Sequence, residues 1–240
     1  MFQRIAQGGD AVNILALDTS TKNFSLAVFK NNTLAAKENI VLDKVLSDSI
    51  IPAIDAVLKK AKMPLAGVDG FAVGLGPGSF TSLRVGLSTV KGFCLALQRP
   101  VVGISSLDLI AMNVTPTGKE DICVMTDAKR HMVYAAIFSQ TTNGLKRKAK
   151  YLLCEVKDLL PLIHKETIFV GDAIALYRDE IKQYSKKMKI MVRFEQETAW
   201  FPQAEHLAVF ALEQFKKKKT DDINKLVPLY LYAQDCQVTR

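Results

Sequence analysis

The feature that most constrains the fold of this chain is the alternation of short apolar runs with longer amphipathic segments. Residues 13–18 predict a buried strand, because four apolar residues precede an acid. The runs 24–29 and 34–41 follow after polar turns and predict two more strands. A helix is predicted over 46–62, where apolar residues recur at three- and four-residue spacing.

The same alternation continues through the middle of the chain. A short strand at 70–73 leads into a glycine-rich loop at 74–78, and a helix is predicted over 79–97. A strand at 100–104 and a helix at 106–113 follow. The resulting order, β-β-β-α-β-α-β-α, predicts an α/β fold with a mixed sheet covered by helices.

The second half of the chain begins again with two strands joined by a turn, as the first half does. Residues 115–118 contain proline and glycine and predict a linker. We therefore expect an extension at 1–12, an N-terminal lobe at 13–114 and a C-terminal lobe at 115–240. The elements predicted in the second lobe are strands at 122–126, 132–138, 151–154 and 168–170, and helices at 158–164 and 204–217.

The composition excludes two classes of protein. The 240 residues are 49% hydrophobic, which excludes a disordered chain, and no apolar run approaches the roughly 20 residues of a membrane span.

The net charge leaves two interpretations open. The net charge is +8, and much of the excess lies in the runs 146–148, 186–187 and 216–219. These runs are either a solvated surface or a direct contact with nucleic acid. No aromatic residues interleave with them as a stacking platform requires.

Cysteine and histidine spacing argues against a metal site. The four cysteines are scattered without a C-x-x-C pair, so free thiols and a reducing cytoplasm are expected. The three histidines form no H-x-x-x-H pair. No G-x-S-x-G sequence supports a serine hydrolase triad.

Two polar motifs follow predicted strands in the first half. Asp18, Thr19 and Ser20 either contact a phosphate and a metal or form an ordinary turn. In the loop 74–78, Gly76 and Gly78 free the backbone ahead of a helix. This loop either holds an anion at the helix N-terminus or is a tight connection. It lacks the lysine and the spacing of a P-loop.

Two further features carry alternatives of the same kind. Asp127 ends a predicted strand beside two cations, and it either faces Asp18 across a cleft or belongs to a polar hairpin turn.

The helices at 46–62 and 79–97 are apolar over a wide arc, so part of each faces the sheet and part is expected to meet a partner. The second helix carries small residues that permit close approach of another helix, namely Gly86, Ser88, Gly92 and Ala96.

Several segments of the chain form one ordered set over nearly its whole length. They are ILALDTST at 14–21, DGFAVGLGPGSFTSLRVG at 69–86, VGISSL at 102–107, TDAKR at 126–130 with YAA at 134–136, VGD at 170–172 and PLYL at 228–231. In the order and spacing of these segments the chain resembles the TsaB (YeaZ) family, and the G-P-G-S-F-T-x-x-R-x-G block is the most specific part. One departure is Val45, where the family usually has a histidine.

This resemblance implies a two-lobed fold of the actin, sugar kinase and Hsp70 type (ASKHA, ribonuclease H-like). It implies a cytoplasmic, non-catalytic subunit of the system that makes N6-threonylcarbamoyladenosine at tRNA adenosine 37. The implied partners are TsaD, bound as a heterodimer through the N-lobe helices, and TsaE. The tRNA is met only indirectly through the complex, and a homodimer forms when TsaD is absent. No membrane contact is implied.

The resemblance also implies that catalytic groups are missing. The histidine metal pair of TsaD-type enzymes aligns with Ser106 and Ile110, and the adenosine-binding glycine pair keeps only Gly171. No catalytic residue, metal or cofactor is therefore expected, beyond weak ATP or ADP binding at a subunit boundary. The vestigial nucleotide-binding candidates are Asp18, Thr19, Ser20, Gly76, Gly78, Ser79, Asp127 and Gly171. The alternative is an ATP-binding or peptidase-like enzyme that acts alone.

The predicted partner surface lies on the apolar stripes of the two N-lobe helices. Its candidate residues are Ile50, Ile54, Leu58, Leu83, Leu87, Val90 and Leu97.

Overall fold

The protein is described by a computed structural model that covers residues 11–41, 46–142 and 144–232. The chain forms two compact units. Unit 1 comprises residues 1–109 and 202–229, and unit 2 comprises residues 110–201 and 230–240. Residues 1–10 of the extension expected at 1–12 lie outside the described residues, as do Val45 and Cys236.

Eleven strands and six α-helices are found in the described residues, besides three short 3-10 helices. In chain order they are β1 Ile14–Asp18, β2 Asn23–Lys30, β3 Thr33–Val41, α1 Leu46–Lys60, β4 Gly70–Gly74, α2 Phe80–Leu97, β5 Val101–Ile104, α3 Ser106–Ala111, β6 Asp121–Asp127, β7 Met132–Thr141, β8 Gly144–Arg147, β9 Leu152–Glu155, α4 Val156–Leu159, β10 Thr167–Val170, α5 Ile174–Met188, β11 Val192–Phe194 and α6 Ala204–Lys216.

Unit 1 is built on a five-stranded sheet in the order β3-β2-β1-β4-β5. Strands β1, β2 and β3 form an antiparallel meander, while β1, β4 and β5 run parallel. This is the mixed sheet that the sequence predicts, and its element order is confirmed. All five residues of β1 and of β4 are buried, as strands in the middle of a covered sheet are.

The C-terminal part of unit 1 departs from the predicted lobe boundary. Residues 202–229 pack with unit 1, whereas the sequence suggested one lobe over 115–240. The reason is the apolar face of α6, where Leu207, Ala211 and Phe215 are buried. The Phe215 ring lies directly over Gly70 of β4, where a Cβ atom would overlap it. Helix α6 therefore completes the core of unit 1.

The apolar stripes of α1 and α2 point into the core of unit 1. This corrects the predicted partner surface, because six of its seven side chains are buried and Leu97 is half-buried. Apolar side chains at helical spacing gain most from burial against their own sheet. The six buried side chains are Ile50, Ile54, Leu58, Leu83, Leu87 and Val90.

Unit 2 contains a sheet in the order β11-β10-β6-β7-β8, with β9 also paired to β7. Strands β6, β10 and β11 are parallel, and β7 is antiparallel to β6. The sequence analysis did not predict β8, β11 or α5. Helix α5 buries only Ile174, Ile181 and Ser185, so its apolar stripe is narrow among charged residues. Residues 227–232, which include the PLYL segment, form no regular element.

Among the described residues, no helix is long and apolar enough to cross a membrane. The three described cysteines are free, as predicted, and burial raises the pKa of the Cys94 thiol to about 12. The sulfur of Cys94 therefore behaves as a small buried hydrophobe.

Two glycines of α2 have opposite surroundings. A Cβ atom on Gly86 would overlap the side chain of Thr19, whose hydroxyl is held by the Ser82 carbonyl at 2.9 Å. A Cβ atom on Gly92 would meet nothing within 4 Å. Gly86 is thus required for α2 to pack on the end of β1, whereas Gly92 is not required by unit 1.

This difference gives a matched pair of stability predictions. Gly92→Ala should raise the free energy of unfolding by about 0.5 to 1 kcal/mol, because alanine favours the helix over glycine. Gly86→Ala gains the same propensity but must displace Thr19, so we expect a net loss of about 1 to 3 kcal/mol. Urea denaturation of both variants and the parent chain measures this, and equal shifts would contradict the packing described.

Candidate functional site

The carboxyl ends of the three parallel strands of unit 1 meet at one edge of the sheet. Asp18 ends β1, the glycine-rich loop 74–78 follows β4, and Ser105 and Ser106 follow β5. Ligand sites of open α/β sheets form at this edge. The sequence motifs around Asp18 and the glycine-rich loop are therefore brought together, as a common site requires.

The Asp18 carboxylate lies at the centre of this edge and has no exposed surface. Its Oδ1 atom accepts hydrogen bonds from the backbone N–H of Ser20 at 2.8 Å and from the Ser20 hydroxyl at 2.6 Å. Its Oδ2 atom accepts one from the Ser106 hydroxyl at 2.5 Å. Burial raises the pKa of the Asp18 carboxyl, and the three hydrogen bonds oppose this rise only in part.

The glycine-rich loop is tied to the same hydroxyl groups. The Gly76 N–H donates to the Ser106 hydroxyl at 3.1 Å, and the Gly76 carbonyl accepts from the Ser105 hydroxyl at 3.1 Å. Glycine is required at two places. A Cβ atom on Gly74 would overlap the Asp18 carboxylate, and one on Gly78 would overlap the Ser20 carbonyl. The glycines therefore let protein groups, rather than a ligand, approach the backbone.

The predicted phosphate-binding hydroxyls point into the protein. Thr19 and Ser20 are buried, and the Thr19 hydroxyl donates to the Ser82 carbonyl. Ser79 is exposed and lies beside the Ser82 hydroxyl at 3.0 Å. Its N–H donates to the Ser20 carbonyl at 2.8 Å, which fixes the start of α2 against the β1 turn.

These residues do not fit a metal–phosphate site within unit 1. A metal ion needs a carboxylate with accessible lone pairs, and the Asp18 oxygens are enclosed by Ser20, Ser106 and Gly74. Within the described residues, no cluster of three His, Cys, Asp or Glu side chains is placed to hold a metal ion. The edge is built as a set of internal hydrogen bonds.

Asp127 and Gly171 lie in unit 2 and organise a turn. The Asp127 carboxylate accepts from the Lys129 backbone N–H at 2.8 Å and pairs with the Lys129 ammonium at 2.6 Å. The Asp127 N–H donates to the Asp172 carboxylate at 2.9 Å. Gly171 has a φ of +114°, and a Cβ atom there would overlap the Met125 carbonyl. Within unit 2 these contacts fit the hairpin-turn interpretation of Asp127.

Sequence reasoning missed two partners in these networks. Ser106 was noted only as the position of a lost metal ligand, yet its hydroxyl is a direct partner of Asp18. Asp172 was noted only as part of the VGD segment, yet it accepts the Asp127 N–H. The signal was clear for Asp172, because it follows β10, the strand that pairs with the Asp127 strand β6. Ser106 follows β5, which β4 separates from the Asp18 strand β1, so its contact with Asp18 reaches across the carboxyl end of β4.

A second candidate site is the outward side of α1 and α2. An open apolar groove of about 640 Å³ runs between α1, residues 62–65 and Phe93. Ile51 and Leu95 remain 52% and 63% exposed although they are large and apolar. We call the outward side of α1 and α2 the helix face. The other exposed residues of α2 are Phe80, Thr81 and Arg84 near its start, followed by the small residues Ser88, Gly92 and Ala96.

The buried state of Asp18 gives a pH-dependent prediction. Its folded-state pKa lies above the usual value near 3.8, so its contribution to stability is full below that value and is lost as pH rises through the folded-state pKa. Asp18→Asn cannot ionise. The stability of the parent chain relative to this variant should therefore fall as the pH rises above about 4 and through the folded-state pKa. Denaturant unfolding across this range measures the difference, and a pH-independent difference would argue against a raised pKa.

The chain is similar to a known protein family and to named proteins of other organisms. The model of the family described as TsaD, tRNA N6-adenosine threonylcarbamoyltransferase, matches residues 41–239. The protein named tRNA threonylcarbamoyladenosine biosynthesis protein TsaB from Bacillus subtilis is 27% identical over 233 residues, which cover 94% of this chain and 96% of the relative. The Escherichia coli protein of the same name is 26% identical over 92% of this chain and 94% of its own length.

Solved structures support the same fold. YeaZ from Pseudomonas aeruginosa is 23% identical, with a TM-score of 0.75 over 92% of this chain and all of that one. The activator of the 2-hydroxyisocaproyl-CoA dehydratase from Clostridium difficile, solved with bound ADPNP, has a TM-score of 0.51 at 11% identity over 86% of this chain and 97% of that one. The expectation of an actin-like fold with two mixed sheets is confirmed. The chain belongs to the family that the TsaD model describes and, within it, to the TsaB (YeaZ) proteins.

Proposed function

We propose that this chain is a non-catalytic subunit of the system that makes N6-threonylcarbamoyladenosine in tRNA. In this proposal it binds and supports a TsaD protein, with TsaE as a further partner. The names of its full-length relatives and the match to the TsaD family model support the pathway.

The observation that carries the non-catalytic role is the enclosed Asp18 carboxylate. Kinase-like chemistry needs an acid that reaches a metal or a phosphate, whereas both Asp18 oxygens are taken by Ser20 and Ser106. Gly74 and Gly78 have no side chain, so the Asp18 carboxylate and the Ser20 carbonyl lie directly against the backbone of the glycine-rich loop. The ancestral site thus serves to hold the sheet and its loops in place.

The helix face supports the proposed partner contact. An exposed glycine inside a helix costs about 1 kcal/mol relative to alanine, and nothing in unit 1 requires Gly92. Small residues permit close packing of another helix, and the exposed Ile51 and Leu95 supply apolar area. We place the TsaD contact here, on helices α1 and α2 as expected, but through different side chains. In the absence of TsaD, two copies of this chain pair through the same face.

Bulky substitution tests this contact. Gly92→Trp should reduce co-purification with TsaD at least tenfold, because the indole occupies the space into which a partner helix packs. The free chain should stay folded, since space around Gly92 is open. The matched control is Ala175→Trp, at an exposed position of α5, which should co-purify like the parent chain. Normal TsaD binding by Gly92→Trp would exclude this face.

A hydrolysis assay separates the proposal from the alternative of an independent ATP-using or peptidase-like enzyme. The purified chain with ATP and magnesium, or with peptide substrates, should show no turnover above the rate of the Asp18→Asn variant. Turnover that the Asp18→Asn substitution abolishes would establish the alternative and overturn the non-catalytic role.

A further inference from the structure

One end of the sheet in unit 2 collects basic residues from separate parts of the chain. Backbone pairing aligns the strands so that one row crosses the whole sheet, through Val192, Thr167, Asp121, Ser139 and Lys146. The segments that flank this row carry the cations. We call this set the basic edge, and it consists of Lys119, Lys146, Arg147, Lys148, Lys150, Lys165 and Lys189.

The acid at the centre of this edge is already neutralised. The Asp121 carboxylate is 5% exposed and pairs with the Lys148 ammonium at 2.8 Å and with the Lys165 ammonium at 3.0 Å. Lys165 also donates to the Lys119 carbonyl at 2.7 Å. Both lysines keep nearly half of their side-chain surface exposed. Asp121 therefore fixes two cations in place and leaves each able to meet a second anion.

Other cations of the edge have no acidic partner nearby. Among the described residues, no carboxylate lies within 4 Å of the ammonium groups of Lys119, Lys146, Lys150 or Lys189. The nearby Glu120 is buried and accepts hydrogen bonds from the Thr117 hydroxyl and the Gly118 N–H. All four of these lysines are exposed.

The charge excess of unit 2 is concentrated at this edge. Residues 110–201 contain fifteen Lys and Arg against eleven Asp and Glu. The basic edge accounts for seven of these cations and, with Glu120, Asp121 and Glu166, for three of the acids. The remaining eight cations and eight acids balance, so the rest of unit 2 is neutral. Like charges gathered in one place raise the free energy of the isolated chain, which favours a polyanionic partner.

The chemistry of the edge selects the kind of polyanion. Five strands at a spacing of about 4.8 Å span about 19 Å, which suits several phosphates of one helical stem. The Arg147 guanidinium covers one face of the Tyr151 ring at 3.7 Å from its centroid, and no row of aromatic rings accompanies the cations of the edge as a stacking platform for unpaired bases requires. Contacts from cationic side chains to phosphates read the shape and charge of the backbone rather than its sequence.

We infer that the basic edge of unit 2 binds the phosphate backbone of a paired RNA stem, so that this subunit touches tRNA directly. The choice of tRNA rests on the proposed function. The inference replaces the expectation of an indirect contact and selects one of the two interpretations of the charge at 146–148.

Binding of an unmodified tRNA transcript to the full chain tests this inference. The edge variant Lys119→Gln/Lys146→Gln/Lys150→Gln avoids the lysines that pair with Asp121. The matched control is Lys216→Gln/Lys218→Gln/Lys219→Gln, which removes the same charge from unit 1. At low salt the edge variant should bind at least tenfold more weakly, and its dependence of log affinity on log salt should be shallower by about 2 to 3. The control should stay within twofold of the parent chain.

Each other outcome overturns the inference. Equal losses of tRNA affinity in both triple variants would indicate general attraction by net charge. Binding by the edge variant that equals that of the parent chain would exclude the edge as the binding site. No binding of tRNA by the parent chain would exclude it as well. Loss of TsaD co-purification by the edge variant, with its tRNA binding intact, would make this edge a protein contact. Circular dichroism confirms folding. Because the RNA assay uses the chain without TsaD, its result is independent of the Gly92→Trp test of the proposed function.

Discussion

The hydrogen bonds around the buried Asp18 carboxylate join the ends of the three parallel strands of unit 1. Asp18 belongs to β1, its partner Ser106 follows β5, and Gly76 of the loop after β4 donates to that same serine. An unpaired carboxylate in this position would be costly, so the hydroxyls and the glycines have to be present together. In the structure this cluster is a set of internal hydrogen bonds that holds the ends of the three strands together.

Much of the fold follows from the sequence because its signals are local. The apolar run before Asp18, the glycine-rich loop and the spacing in α1 and α2 each fix one element, and their order predicts the mixed sheet. Helix α5 was not predicted because only three of its residues are buried, and these are separated by charged and polar residues along the chain. The placement of α6 in unit 1 was missed because it depends on long-range packing, such as that of Phe215 on Gly70.

The candidate sites were less predictable for a related reason. Hydroxyls beside an acid suit a phosphate and an internal hydrogen-bond network equally well, and only their burial distinguishes the two uses. For the helices, an apolar stripe marks the side that faces the core. The side on which we propose the partner contact is marked by an exposed glycine and two exposed aliphatic residues, which form no pattern along the chain. Likewise, the basic edge is assembled by strand register from runs that are far apart in sequence.

Gly92 has a consequence for how such a protein is maintained in a cell. Alanine at position 92 would stabilise helix α2 more than glycine does. The chain alone is therefore less resistant to local opening of this helix than a variant with alanine there would be. In the proposed complex, docking of the partner on that helix would restore the lost protection by mass action. The proposal then implies that copies made in excess of their partner would be degraded most readily, because local opening exposes them to proteases.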